Sequence, residues 1–222
     1  MIGIRLSRVL FGILLLVVGA CQATEPPSRE TIASQDQWRP RKPVPRVEMS
    51  PQDVAAARQD YLTMYAQSLQ LTSVPSVPAE QIGYPEVVVP LQQQCLTAAG
   101  VAAQVEPDGS LQTDQGAAQR SPAIATALFT CTARFFPDPR WNLQPTQPQL
   151  ELVWDYTHRF LIPCLRSHQV RVPDPPTEQR WVKSGGRGWD YPDLSGNPDR
   201  EQIIRHCLPT VPSAWYLGDR QE

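Results

Sequence analysis

Five cysteines and three histidines carry most of the reactive chemistry in this 222-residue chain. Cys21 closes a short apolar run, which leaves Cys95, Cys131, Cys164 and Cys207. His168 lies four residues after Cys164, and His206 directly precedes Cys207. Residues at i and i+4 share a helix face, so Cys164 and His168 could both reach one zinc ion. Against a metal centre, neither Cys95 nor Cys131 belongs to a C-x-x-C pair, and thiols exposed to an oxidising compartment pair with each other. An even number of cysteines is therefore read as two disulfides in any of three connectivities, with no metal and no cofactor.

Catalytic patterns are missing from the sequence. It has no G-x-S-x-G, no H-E-x-x-H and no dinucleotide fingerprint. His158 falls beside an apolar helical stripe and reads as a structural histidine, while Asp190, Asp193 and Asp199 read as solvated loop acids. Ser184-Gly185-Gly186-Arg187-Gly188 lacks the Lys-Ser/Thr pair of a phosphate-binding loop and reads as a connector. Aromatic residues offer a different chemistry. Trp181, Trp189, Tyr191, Trp215 and Tyr216 are concentrated in the last quarter of the chain, and Trp189-Asp190-Tyr191 is flanked by glycine and proline. Exposed rings beside carboxylates stack on and hydrogen-bond a glycan or a peptide. Trp181 and Trp215 are assigned to the core, and Trp189 and Tyr191 to candidate ligand contacts. The leading expectation is a non-catalytic binding module of a cell envelope. The alternative is a structural partner of another envelope protein.

That compartment is inferred from the N-terminus. Arg5 and Arg8 precede the apolar run Val9–Val18, and Gly19-Ala20 precede Cys21. Ten residues are too few to span a hydrocarbon layer, which takes about 20, whereas charged flank, short core and small residues suit a secretory signal. With cysteine following the small residues, the segment resembles the lipobox of bacterial lipoprotein signal peptides. The resemblance implies removal of residues 1–20, a thioether-linked diacylglyceryl group on Cys21, and anchoring to the extracytoplasmic face of the cell membrane. The lipid bilayer is then one partner, held through two acyl chains. Loss of residues 1–20 takes the formal charge from −2 to −4, a balance that gives no reason to expect nucleic acid.

Residues 22–49 are read as a tether, rich in proline and poor in apolar residues, and expected to stay disordered. It would span roughly 30 Å as a coil and about 87 Å as polyproline. Arg39, Arg41, Lys42 and Arg46 make part of it basic enough to lie on anionic headgroups or wall polymers.

Residues 50–222 form the expected extracytoplasmic domain, mostly α with short β segments (α+β). The 24 prolines, about twice the usual ~5%, favour many short elements. Ser50-Pro51, Ser121-Pro122 and Asn197-Pro198 read as helix starts, each a cap residue followed by proline. The first helix runs to about residue 70. Residues 79–99 predict a second, carrying Val88, Leu91 and Cys95, with Pro90 delaying or kinking it. A strand over 101–105, the turn Glu106-Pro107-Asp108-Gly109 and a partner at Leu111-Gln112 follow. Ile124, Leu128, Cys131 and Phe135 then form a core-facing stripe. The most apolar helix starts at Pro148, with Leu150, Trp154, Leu161 and Leu165 on one stripe and a bend at Pro163. Thr177 caps a short helix with Trp181, Ile203, Ile204 and Cys207 form the buried side of the last helix, and the 213–222 tail packs back on the core.

Two stretches repeat. Cys95-Leu96-x-x-x-x-Val101 matches Cys164-Leu165-x-x-x-x-Val170, each ending a helix and each followed by a proline turn and a helix with one more cysteine. The order suggests two tandem similar modules, 80–137 and 148–212. The preferred pairing is then Cys95–Cys131 and Cys164–Cys207, each closing a loop of roughly 40 residues and contributing about 4 kcal/mol in the chain-entropy model. The pattern resembles exported actinobacterial lipoproteins of unknown function, through Cys95-Leu96, Gly100-Val101, Pro107-Asp108-Gly109, Cys131, Cys164-Leu165 and Cys207. Gln169 stands where that pattern has glycine. The resemblance implies a compartment and a scaffold.

Overall fold

Proline at the first helical positions sets where most helices begin. A computed structural model describes residues 34–114, 116, 121–207 and 210–220; Cys21 and the apolar run before it lie outside the described residues. Helices α1 (Pro51–Ser68), α2 (Pro85–Ala98), α3 (Pro122–Arg134) and α4 (Gln147–Tyr156) all carry proline in the first turn. An N1 residue has no intrahelical acceptor for its N–H, so proline costs nothing there. Ser50 and Ser121 cap as expected, each accepting from the third residue of its helix. Thr146 adds a capping box, with its hydroxyl accepting from the Gln149 N–H and the Gln149 side chain accepting from the Thr146 N–H at 2.9 Å. Asn197-Pro198 instead makes a turn, Asn197 Oδ1 accepting from the Asp199 N–H, and α7 (Arg200–His206) starts two residues beyond that proline.

The fold is mostly helical, with four three-residue strands among the described residues. β2 (Ala103–Val105) and β3 (Leu111–Thr113) form the expected antiparallel hairpin. β1 (Gln81–Gly83) pairs in parallel with β4 (Phe135–Pro137), a contact between distant segments with no local signature. It corrects the third helical stripe: α3 ends at Arg134, and Phe136, not Phe135, enters the core. The second helix likewise begins at Pro85, after β1, and keeps Pro90 inside it.

From Gln147 to Ser167 the chain is helical throughout. A π-helical turn (Thr157–Leu161) separates α4 from α5 (Ile162–Ser167). Pro163 has no N–H to donate, and the wider turn immediately before it absorbs the mismatch that was expected as a kink. The inserted turn also moves the buried face. Leu152, Tyr156, Phe160, Leu161 and Leu165 enter the main core, whereas Leu150 and Trp154 are only half-buried and face α6 (Glu178–Lys183) and residues 173–176. The tail forms α8 (Ser213–Tyr216) and packs back as expected, with Trp215, Tyr216 and Leu217 buried.

Two disulfides staple the domain, Cys95–Cys131 and Cys164–Cys207. The repeat is visible bond for bond at the helix ends before them. Val101 N–H donates to Leu96 O at 2.9 Å and Val170 N–H to Leu165 O at 3.0 Å; Gly100 donates to Thr97 O and Gln169 to Arg166 O, both at 3.0 Å. Gly100 has φ +75° and Gln169 φ +60°, the left-handed residue that closes a helix with this six-to-one bond. Leu96 and Leu165 are fully buried, and Cα separations across the two bridges are 5.7 and 5.6 Å. Between the staples the copies differ: the first has the hairpin, the second an extended run and α6.

The tether reading fails for residues 34–49. Trp38 is 0% exposed and meets the Tyr156 ring edge-on at 5.0 Å, and Val44 is buried in the same core. Val47 N–H donates to Leu217 O at 2.9 Å, and a Cβ on Gly218 would lie 2.6 Å from Val44 O. Glycine is required at 218 because this backbone comes so close. One tryptophan and one valine, placed where the core has a gap, outweigh a composition that otherwise predicts disorder. Residues 34–49 are a strap across the domain.

Candidate functional site

The strap walls one of the clefts among the described residues, a cavity of about 300 Å³ between residues 40–45 and α4. Pro40, Pro43, Pro45 and Pro148 supply apolar walls, with Trp154 beside them. Trp154 is held by its indole N–H, which donates to Pro176 O at 2.9 Å, and by stacking on His158 at 4.6 Å. Three carboxylates face this region: Glu151, Asp155 and Glu178. Lys42 bridges two of them, 2.9 Å from Glu151 and 3.8 Å from Glu178, and so ties the strap to both α4 and α6. The hydrogen bond from Lys42 to Glu151 raises the ammonium pKa. Glu151 is lowered, chiefly by the Gln147 side-chain amide and then by Lys42.

Asp155 differs from its neighbours. It is buried, on the face of α4 that enters the domain. Arg159 Nη1 donates to its Oδ2 at 3.0 Å, but Oδ1 is buried without a hydrogen-bond partner. Arg41 Nε stands 3.5 Å from Oδ1 on a side chain that is 67% exposed. A carboxylate oxygen has roughly two acceptor sites, and leaving them empty in a buried position costs about 1–3 kcal/mol. The cleft therefore combines apolar walls with a buried carboxylate oxygen that makes no hydrogen bond and has only the ion pair to Arg41 beside it. It suits a ligand bearing N–H or O–H donors.

The other sequence candidates are distributed as follows. Trp189 and Tyr191 are both half-buried and packed against the main core, not displayed on a free loop. The Trp189 indole donates to Pro173 O at 3.1 Å, and the Tyr191 hydroxyl is buried without a partner, its pKa raised by burial. They do not line the strap cleft. Trp181 and Trp215 are core residues as expected, Trp181 donating to Leu150 O at 3.0 Å. His158 is exposed and stacked on Trp154, a member of the apolar stripe beside which it was expected. His168 and His206 flank the Cys164–Cys207 bridge.

A partly buried ionic clasp holds strap and tail together on another side, Arg140 also donating to Val47 O of the strap at 3.1 Å. Arg140 donates to both oxygens of Asp219, at 3.0 and 2.7 Å, and to Asp138 at 2.7 Å. Tyr84 Oη donates to Asp219 at 2.8 Å. Hydrogen bonds from Arg140 hold the Asp219 carboxyl below its usual range, while burial first, then Asp219, pushes Tyr84 up to about 12. Arg46 of the strap supplies a second cation 3.0 Å from Asp219, so two carboxylates face two guanidinium groups and the clasp is structural.

Sequence reasoning missed the strap cleft. Two signals pointed to it: Trp38 and Val44 inside an otherwise polar stretch, and Asp155 inside the most apolar helix. No protein-family model matches this chain, and no curated protein or solved structure matches it at significant similarity.

Proposed function

We propose that this chain is an extracytoplasmic lipoprotein, anchored in the cell membrane by a diacylglyceryl group on Cys21, whose domain is a non-catalytic binding module for envelope glycan or its attached peptide. The observation that carries the binding reading is the unsatisfied Oδ1 of Asp155 beside the proline- and tryptophan-walled cleft. Sugar hydroxyls, acetamido N–H groups and peptide ammonium groups are donors that a carboxylate accepts, and the C–H faces of sugars suit proline and indole walls. Arg41, whose side chain is 67% exposed and stands 3.5 Å from Oδ1, can swing into solvent as the incoming donor takes its place beside the buried carboxylate.

The strap also sets the height of the cleft. With residues 34–49 fixed on the domain, only residues 22–33 separate it from Cys21, and twelve extended residues reach at most about 40 Å. The module works close to the bilayer, at roughly half the distance a free 28-residue tether would allow.

Co-sedimentation with isolated bacterial peptidoglycan tests the binding reading. Wild-type protein is expected in the pellet. Asp155→Asn keeps the side-chain shape and removes the charged acceptor, so retention should weaken about 10–100-fold, the equivalent of one hydrogen bond to a charged group. Circular dichroism checks that the variant is folded. Unchanged retention by Asp155→Asn together with loss in Trp189→Ala would move the ligand surface to residues 189–191. Wild-type protein left in the supernatant would overturn the glycan reading. Intact mass of membrane-extracted protein reads the anchor directly: an unmodified Cys21 would overturn it.

A further inference from the structure

The two disulfides differ in what surrounds them. Beside Cys95–Cys131 stands a cation, Arg134, with Nη1 3.6 Å from Cys95 Sγ. Beside Cys164–Cys207 stand two imidazoles. Sγ of Cys164, Sγ of Cys207 and a ring nitrogen of His168 all lie within 4.8 Å of one another, and the His206 ring centroid is 5.5 Å from that of His168. We propose that reduction of the Cys164–Cys207 bridge turns this cluster into a binding site for a zinc-class divalent cation, with Cys164, Cys207 and His168 as ligands and His206 completing the tetrahedron.

The backbone that such a site needs is already fixed. Cys164 and His168 occupy consecutive turns at the end of α5, where His168 N–H donates to Cys164 O at 3.3 Å and to Leu165 O at 3.1 Å. Cys207 closes α7 by donating to Ile203 O at 2.7 Å. Leu165 and Ile203, which seat the two helix ends, are almost wholly buried. A tetrahedral ion with Zn–S of about 2.3 Å places its sulfurs about 3.8 Å apart. The Cα atoms at 5.6 Å stay where they are, and the half-exposed Cys164 side chain has room to turn. Asp199, Glu201 and Arg205 line an open cavity of about 260 Å³ that His206 also borders; with Glu201 paired to Arg205, Asp199 leaves it one net negative charge on a cation's approach. The nearby Arg205 and Arg166 are engaged with Glu201 and Asp174, at 2.6 and 2.7 Å.

The step balances with a dithiol or phosphine as reductant. A dithiol passes two electrons and two protons to the bridge and becomes a disulfide itself, leaving two cysteine thiols. The cation then displaces both thiol protons to solvent, and two thiolates with two neutral imidazoles give a site of zero net charge. The guanidinium beside Cys95 makes the first bridge unsuitable for the same ion, so one site per chain is expected.

The test uses the whole chain, a phosphine reductant and Co(II) as a spectroscopic probe. Oxidised protein should show no thiolate-to-cobalt charge-transfer band. Reduced protein should develop that band with tetrahedral d–d bands, saturating at one equivalent and abolished by Zn(II). His168→Ala retains both disulfides for folding, and after reduction it should bind at least about a hundredfold more weakly, exceeding the ~10–100-fold typical of losing a group that only hydrogen-bonds a ligand residue. Absence of the bands in reduced protein would overturn the proposal. So would equal binding by a His168→Ala/His206→Ala double variant, which is the behaviour of thiols in an unfolded chain.

Discussion

Replacing Trp38 by alanine should unfold a substantial part of this protein's stability, although composition places the residue in a spacer. The indole is fully buried and meets Tyr156 edge-on. An aromatic side chain buries roughly 150–250 Å², about 4–6 kcal/mol at 25 cal/mol/Å². A compact unfolded chain lowers such figures by about 10–40%. The ring pair adds ~0.5–1.5 kcal/mol. In the opposite direction, Trp38 Nε1 is buried without a partner, and its removal relieves about 1–3 kcal/mol. The balance is a loss of about 3 kcal/mol, at the low end for Trp→Ala in a core. With a urea m-value near 2 kcal/mol/M, the midpoint should fall by about 1.5 M. Trp38→Phe keeps an edge-on ring without the orphaned donor and should lie within about 1 kcal/mol of wild type. Limited trypsin proteolysis supplies the second readout: cleavage after Arg41 and Arg46, the strap's basic residues not followed by proline, should be slow in wild type and fast in Trp38→Ala. A midpoint shift in Trp38→Ala no larger than that of an exposed strap substitution such as Glu48→Ala, under about 0.5 kcal/mol, would refute the strap and restore the tether.

Two further expectations concern the helix ends and the ionic clasp. Gln169 holds a left-handed conformation that costs a non-glycine residue about 1–2 kcal/mol; Gln169→Gly should therefore stabilise by about 0.5–1 kcal/mol after the added unfolded-state entropy, while Gly100→Ala, with open space around its Cβ, should destabilise by about 1 kcal/mol. Urea midpoints decide both, and a loss of stability in Gln169→Gly would count against the equivalence of the two helix ends. Stability should also fall at both pH extremes. Asp219, depressed by Arg140, contributes fully above the ordinary aspartate range near pH 4 and loses that contribution as pH falls through its lower folded value. Tyr84, raised to about 12 mainly by burial, contributes fully below about pH 10, and that contribution is lost between there and about 12. Asp219→Asn should flatten the acid limb of midpoint against pH and Tyr84→Phe the alkaline limb, each in part, since Asp108, Asp193 and Glu80 are also lowered and Tyr156 and Tyr191 also raised.

What the sequence determined by itself is local chemistry. Ser50-Pro51 and Ser121-Pro122 begin helices because a hydroxyl and a missing N–H act within one turn. Cys95-Leu96 and Cys164-Leu165 reveal a repeated helix end because the same six-to-one bond closes both. That repeat, with the even cysteine count, led to the observed pairing. Tertiary structure decided what depends on groups far apart in the chain. β1 meets β4 across 54 residues, and no property of Gln81-Ile82-Gly83 selects its partner. Phe136 replaced Phe135 in the core because that pairing ended α3, and the π turn before Pro163 moved the buried face of the longest helical run. The strap shows the difference most plainly. Average composition treats Trp38 and Val44 as two apolar residues among many polar ones, but burial free energy is gained at individual sites. Only the folded core supplies the cavity that makes those two sufficient, and with them the cleft beside Asp155.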